Sequence, residues 1–164
     1  MGAGKSTVAR LLAARWQCPV RDTDADIEAS QGRSISDIFV DEGEDYFRRV
    51  ERAAVAAALD FAGVLSLGGG AVLADETRAL LAGRPVVYLQ VGLAEAVKRV
   101  GMGTSRPLLL GNVRARVKAL LDERDPIYTA VARWRIATDG LSAREVADQI
   151  EEAMQVPVGG ARDA

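Results

Sequence analysis

The chain opens Met1-Gly2-Ala3-Gly4-Lys5-Ser6-Thr7-Val8-Ala9-Arg10, and the reading of residues 2–7 decides the fold. A phosphate-binding loop has the signature G-x-x-x-x-G-K-[ST], in which backbone N–H groups curl around the phosphates. Gly4, Lys5 and Ser6 supply its second half, and the first glycine of the signature would fall before Met1. Residues 6–16 continue with Val8, Leu11, Leu12 and Ala13 set among arginines, a helical pattern that starts directly from the loop. Loop amides and helix dipole then converge on one anion, with Lys5 on the outer phosphates and the Ser6 hydroxyl on Mg2+. From these residues alone, an ordinary helix start built of small residues remains the alternative. A loop of this kind is launched from a buried strand. The reading therefore expects one upstream, with Met1 an internal methionine and the working protein beginning roughly ten residues earlier.

Downstream, short strand patterns alternate with helical ones. "CPVRDTD", "GVLSL", "PVVYLQV" and "WRIAT" read as strands. "ADIEAS", "SISDIF", "GEDYFRRVERAAVAAAL", "DETRALLAG", "LAEAVKRV", "VRARVKALLDERD" and "SAREVADQIEEAM" read as helices, with Asp75 placed to cap one and Gly83 to end it. This alternation predicts an α/β domain with a parallel sheet covered on both faces. Four strands are visible, and the loop implies a fifth.

The totals narrow the chemistry. A chain of 164 residues, 49% hydrophobic and 27% charged, fits one soluble domain. The net charge of -2 gives no reason to expect nucleic acid or an anionic membrane. With no histidine, Ser-His-Asp activation and His-ligated metals are excluded. Base chemistry falls to carboxylates, and any metal is a hard cation held by oxygen. Cys18 is the single cysteine, in keeping with a reducing compartment. The first apolar run is broken by Arg10 and Arg15, so no secretory leader is expected. Residues 61–74 form the longest apolar run but hold four glycines, short of the roughly 20 residues of a membrane span. A cytoplasmic protein is expected.

"GAGKST", "DTD", "IEASQGRSISDIF", "GEDYFRRVE", "VLSLGGGAVL", "VVYL", "RPLL" and "ERDPIY" occur in this order along almost the whole chain. In this set the chain resembles shikimate kinase. "DTD", "FRRVE", "LGGGA" and "RPLL" together are highly specific. The resemblance implies a three-layer fold of the P-loop nucleoside-triphosphate hydrolase type, with five parallel strands in the family, helices on both faces and a lid. It implies transfer of the γ-phosphoryl of ATP to the 3-hydroxyl of shikimate with Mg2+, in chorismate and aromatic amino-acid synthesis. The kinase domain is expected over residues 1–155, with the lid at about 101–112 and a flexible tail at 156–164. A monomer is expected, with ATP and shikimate as partners and neither nucleic acid nor membrane.

Residue by residue, the resemblance places Gly2, Ala3, Gly4, Lys5, Ser6 and Thr7 on the nucleotide and Ser6 and Asp22 at Mg2+. Asp24 is the positioning group and candidate base at the substrate hydroxyl, although Thr23 or Asp24 could merely cap the following helix. Arg48 and Arg124 become two forks on the shikimate carboxylate, a planar group that accepts paired guanidinium bonds. Arg49 points elsewhere. Gly68, Gly69 and Gly70 offer bare backbone to the substrate, Gly69 above the others. Arg106 closes over the phosphates as an arginine finger from the same chain, and Arg99 stacks near adenine unless it is a plain surface arginine. The catalytic set is thus Lys5, Asp24 and Arg106. Near Leu141, where family members often carry a basic residue, no adenine contact is carried over. The rival readings are another small-metabolite kinase such as a gluconate kinase, and a truncated non-catalytic remnant.

Overall fold

Helix α1 (Lys5–Arg15) begins directly after Gly4, which stands at its N-cap in the left-handed region (φ 80°), a conformation glycine reaches without a Cβ penalty. Among the described residues no side chain caps this end, which leaves the first-turn amides open to a ligand. The computed structural model describes residues 3–101 and 110–155. After α1 come β1 (Val20–Asp22), α2 (Thr23–Gln31), α3 (Ile35–Asp41), α4 (Gly43–Ala58) and β2 (Val64–Ser66). A 3-10 turn (Ala71–Leu73), α5 (Asp75–Leu81), β3 (Val87–Gln90), α6 (Leu93–Gly101), α7 (Leu110–Val131), β4 (Trp134–Ala137) and α8 (Ala143–Gln155) follow. The alternation is the one read from sequence.

The strands do not form one sheet among the described residues. β1 pairs in parallel with β2, Val20 opposite Val64 and Asp22 opposite Ser66. β3 pairs in parallel with β4, Val87 opposite Trp134 and Gln90 opposite Ala137. The two pairs are separate among the described residues, and both are parallel, as the α/β reading expects. A cleft of about 430 Å3 is lined by residues of both β2 and β3, by Ala3 and by α1.

The main core joins Val8 and Leu12 of α1 to Leu89, Ile136, Val146 and Ile150. A second core of Ile27, Ile38 and Phe47 binds α2, α3 and α4 together, fixing the face of α4 that carries Arg48. Among the described residues no helix is long and apolar enough to cross a membrane.

Three local expectations are corrected. Ala74 stands at the N-cap of α5, and the carboxylate of Asp75 pairs with Arg78 instead. Gly83 does follow that helix with φ 76°. The cap of α2 is Asp22, not Thr23 or Asp24: its carboxylate accepts from the Asp24 amide at 3.0 Å. Helix α7 runs from Leu110 through Pro126 to Val131, longer at both ends than the sequence pattern. Proline fits helical φ and forfeits one hydrogen bond. That loss is tolerated because Asp125 is held by Tyr88 (2.8 Å) and Gln90 (3.1 Å), and Tyr128 by Gly69 (2.5 Å). Most of the expected lid, and the tail at 156–164, lie outside the described residues.

Candidate active site

The carboxyl ends of β1 and β2 and the start of α1 meet at one place, the position where open α/β sheets bind ligands. Ser6 Oγ donates to Asp22 Oδ2 at 2.8 Å, tying the phosphate-binding loop to the end of β1. The other oxygen of Asp22 caps α2. Burial pushes the Asp22 carboxyl up, but these hydrogen bonds outweigh it and hold it below the usual carboxylate range. Asp22 is therefore an anion at neutral pH. A hydroxyl and a carboxylate together are hard oxygen donors of the kind Mg2+ takes while keeping most of its waters, so these residues fit the ion.

Two residues on, Asp24 behaves oppositely. Burial and then the negative charge of Asp22 raise its carboxyl above the usual range, while Lys5 and Arg48 pull it down. Two neighbouring carboxylates thus differ in proton affinity, one fixed as an anion and one made more basic. The turn between them is fastened by Thr23, fully buried, whose Oγ1 accepts from the Gly68 amide at 3.0 Å. Thr23→Val keeps the shape and leaves that amide without its acceptor. We expect a loss of about 1–3 kcal/mol, read as a fall of several degrees in the thermal midpoint; an unchanged midpoint would show that the amide finds another acceptor.

The three glycines are explained by close approach. A Cβ at Gly68 would strike the carboxylates of Asp24 and Glu51, and one at Gly70 would strike the Arg48 guanidinium. The Gly68 amide is already used by Thr23, so at that position the expectation of bare N–H groups awaiting a ligand gives way to side-chain packing. At Gly69 the carbonyl accepts from Tyr128 of α7.

Arg48 projects from α4 with Nη1 on Glu51 at 2.5 Å and Nη2 on Glu44 at 3.0 Å. Arg49 bonds its own helix at the Asp45 carbonyl and lies over Tyr46, away from Arg48 as expected. Glu51 is only 3% exposed; burial pushes its carboxyl up, Arg48 opposes this, and the Arg124 charge also favours the anion. Sequence reasoning missed Glu51, yet a signal existed. Phe47, Glu51 and Val55 recur every four residues and form the buried stripe of α4. Thr23 and Tyr128 carried no comparable pattern.

Arg124 Nε is buried and has no hydrogen-bond partner among the described residues. The structure therefore gathers Lys5, Ser6, Asp22, Asp24, Arg48 and residues 68–70, with Arg124 close enough to act on Glu51. Ala3 is buried, and Thr7 is exposed on α1. Gly2 and Arg106 lie outside the described residues, and so does the side chain of Arg99.

A family model described as shikimate kinase matches residues 1–155. The chain belongs to the shikimate kinase family. A shikimate kinase of Saccharopolyspora erythraea is 52% identical over 164 residues, covering 99% of this chain and 94% of that protein. One from Frankia casuarinae is 56% identical over 154 residues, covering 93% and 68%. Among solved structures, shikimate kinase from Acinetobacter baumannii in complex with shikimate superposes with a TM-score of 0.84 at 36% identity, covering 94% of this chain and 88% of that one. That solved structure shares the α/β architecture described above.

Proposed function

We infer that the protein transfers the γ-phosphoryl of ATP to the 3-hydroxyl of shikimate, giving shikimate 3-phosphate and ADP for the synthesis of chorismate and the aromatic amino acids. One observation carries the reading: the half-buried Asp24, raised in proton affinity, feels the positive charges of both Lys5 at the start of α1 and Arg48 of α4. Those are the parts phosphoryl transfer to an alcohol requires: an anion holder, an acid holder and a base.

In this proposal the open amides of residues 3–7 and Lys5 hold the triphosphate. Arg48 and Arg124 fix the substrate carboxylate, and Asp24 orients the hydroxyl and receives its proton. Gly69 and Gly70 are proposed to let the substrate approach the backbone, while Gly68 makes room for Asp24 and Glu51. Ser6 and Asp22 would hold Mg2+, which when bound supplies positive charge to the phosphate oxygens. Arg106 is assigned to the transferring phosphate and Arg99 to the adenine side. The protein is proposed to act as a cytoplasmic monomer.

The test is ADP release with Mg-ATP in the presence of shikimate, gluconate or AMP. We expect turnover with shikimate alone, abolished by a chelator and restored by added Mg2+. Turnover with gluconate alone would overturn the assignment, and absence of turnover with every acceptor would favour a non-catalytic remnant.

A further inference from the structure

We infer that Tyr128 is a positioning residue for Arg124. By bonding the Gly69 carbonyl it sets the rotation of α7, and so the aim of Arg124 at the substrate carboxylate of the reaction proposed above, on which this inference rests. The pattern of α7 supplies the first observation. Leu121, Arg124, Tyr128 and Val131 recur at spacings of three and four, so they share one face of the helix. Leu121, Tyr128 and Val131 of this stripe line the cleft beside Gly69 and β3. Arg124 is thus a charge set in an apolar stripe, and its Nε is buried with no hydrogen-bond partner among the described residues. With no bond at Nε to direct the guanidinium, its aim is left to the helix that carries it.

What fixes that helix comes from outside it. Pro126 has no N–H, so one rung of the α7 ladder is missing at this turn. Tertiary bonds take over. Tyr128 Oη donates to the Gly69 carbonyl at 2.5 Å. On the adjoining face, Asp125 Oδ1 accepts from Tyr88 Oη at 2.8 Å and from Gln90 Nε2 at 3.1 Å. Burial and then the Asp125 bond push the Tyr88 phenol up, which keeps it a protonated donor. The Tyr88 and Tyr128 rings meet with centroids 4.9 Å apart, so the two holds brace each other. They differ in where they lead. Asp125 is held by β3, whereas Tyr128 reaches the glycine run, against which the other arginine also lies: a Cβ at Gly70 would strike the Arg48 guanidinium. Tyr128 therefore registers the arginine of α7 against the arginine of α4. A turn of about 10° about a helix axis carries a side-chain tip about 6 Å out through about 1 Å. A misplacement of that size is enough to cost about 100-fold in a preorganised site.

Tyr128→Phe keeps the ring and removes only the hydroxyl. KM for shikimate should rise about tenfold, with KM for ATP unchanged because Ser6 and Asp22 hold the nucleotide side. A double-mutant cycle separates positioning from packing. If Tyr128 acts through Arg124, adding Tyr128→Phe to Arg124→Ala should raise KM by less than about twofold more. A second full step of about tenfold overturns the inference. So does an unchanged KM with a lowered thermal midpoint, the mark of helix packing alone. A readout without ligands stands apart from the reaction. In isotope-labelled protein the Arg124 Nε–H NMR signal, identified by its loss in Arg124→Lys, should exchange with water about tenfold faster in Tyr128→Phe. Tyr88→Phe leaves Gln90 on Asp125 and should move the same signal by less, which keeps the test open if the Tyr128 variant does not fold. A signal unmoved in the folded variants overturns the inference whatever the acceptor. Faster exchange in a protein inert towards shikimate supports the placement of Arg124 and counts only against the proposed reaction.

Discussion

Asp24→Asn should lower kcat by about 10²- to 10⁴-fold while leaving ATP affinity nearly intact. The asparagine amide keeps the size of the side chain and can still orient a hydroxyl, but it cannot take the proton. ATP affinity is spared because the nucleotide side is held by Lys5, Ser6 and Asp22, with the last two joined directly at 2.8 Å. The pH dependence gives a second check. Burial and the Asp22 charge raise the Asp24 carboxyl, so the acid limb of kcat/KM should lie above the ordinary aspartate value of about 3.9, and Asn should remove that limb. The stability effect has the opposite sign. A carboxyl with a folded pKa above its unfolded one binds protons more readily in the folded state, so stability is lost as pH rises from the unfolded value through the folded one. Asp24→Asn should therefore be more stable than the parent at neutral pH, and the gain should vanish below about pH 4. Wild-type turnover in this variant would reduce Asp24 to a structural residue.

How far these features can be read from sequence depends on the range of the forces behind them. The loop-to-helix start at Gly4, Lys5 and Ser6 is local chemistry, visible in a few consecutive residues. So are the two aspartates after β1, and the structure confirms that one short turn lets Asp22 cap a helix and meet Ser6 at once. Glu51 was legible in principle from its place on the apolar stripe of α4. Its partner across the fold, Gly68, comes from another element, and no local pattern reveals that meeting. The same holds for Tyr128 on the Gly69 carbonyl, 59 residues away in sequence. Pro126 misleads because the local rule ends a helix there, whereas anchors from β3 on Asp125 hold the turn in place. Sheet order is the most distant property. Hydrophobic runs identify β2 and β3 as buried strands without saying that their inner edges face a cleft.

Arg124→Ala should raise KM for shikimate by roughly 10- to 100-fold, the range set by a charge-assisted hydrogen bond of about 1.5–3 kcal/mol. kcat should change much less, because the carboxylate that Arg124 is proposed to grip is remote from the reacting hydroxyl. A merely structural arginine would give a different result. The Arg124 Nε is buried without a hydrogen-bond partner among the described residues, so truncation removes an unmet donor. It also removes the charge that favours the Glu51 anion, and with the two effects opposed the thermal midpoint should change little. Falling affinity with undiminished stability is the combination expected of a group kept for a ligand. Arg124→Lys sharpens the reading: it retains the positive charge but not the planar fork, and should recover only part of the lost affinity. Full recovery by lysine would mean that charge alone suffices. An unchanged KM in the alanine variant would remove Arg124 from the substrate site and leave Arg48, already engaged by Glu51 and Glu44, as the single proposed anchor of the acid.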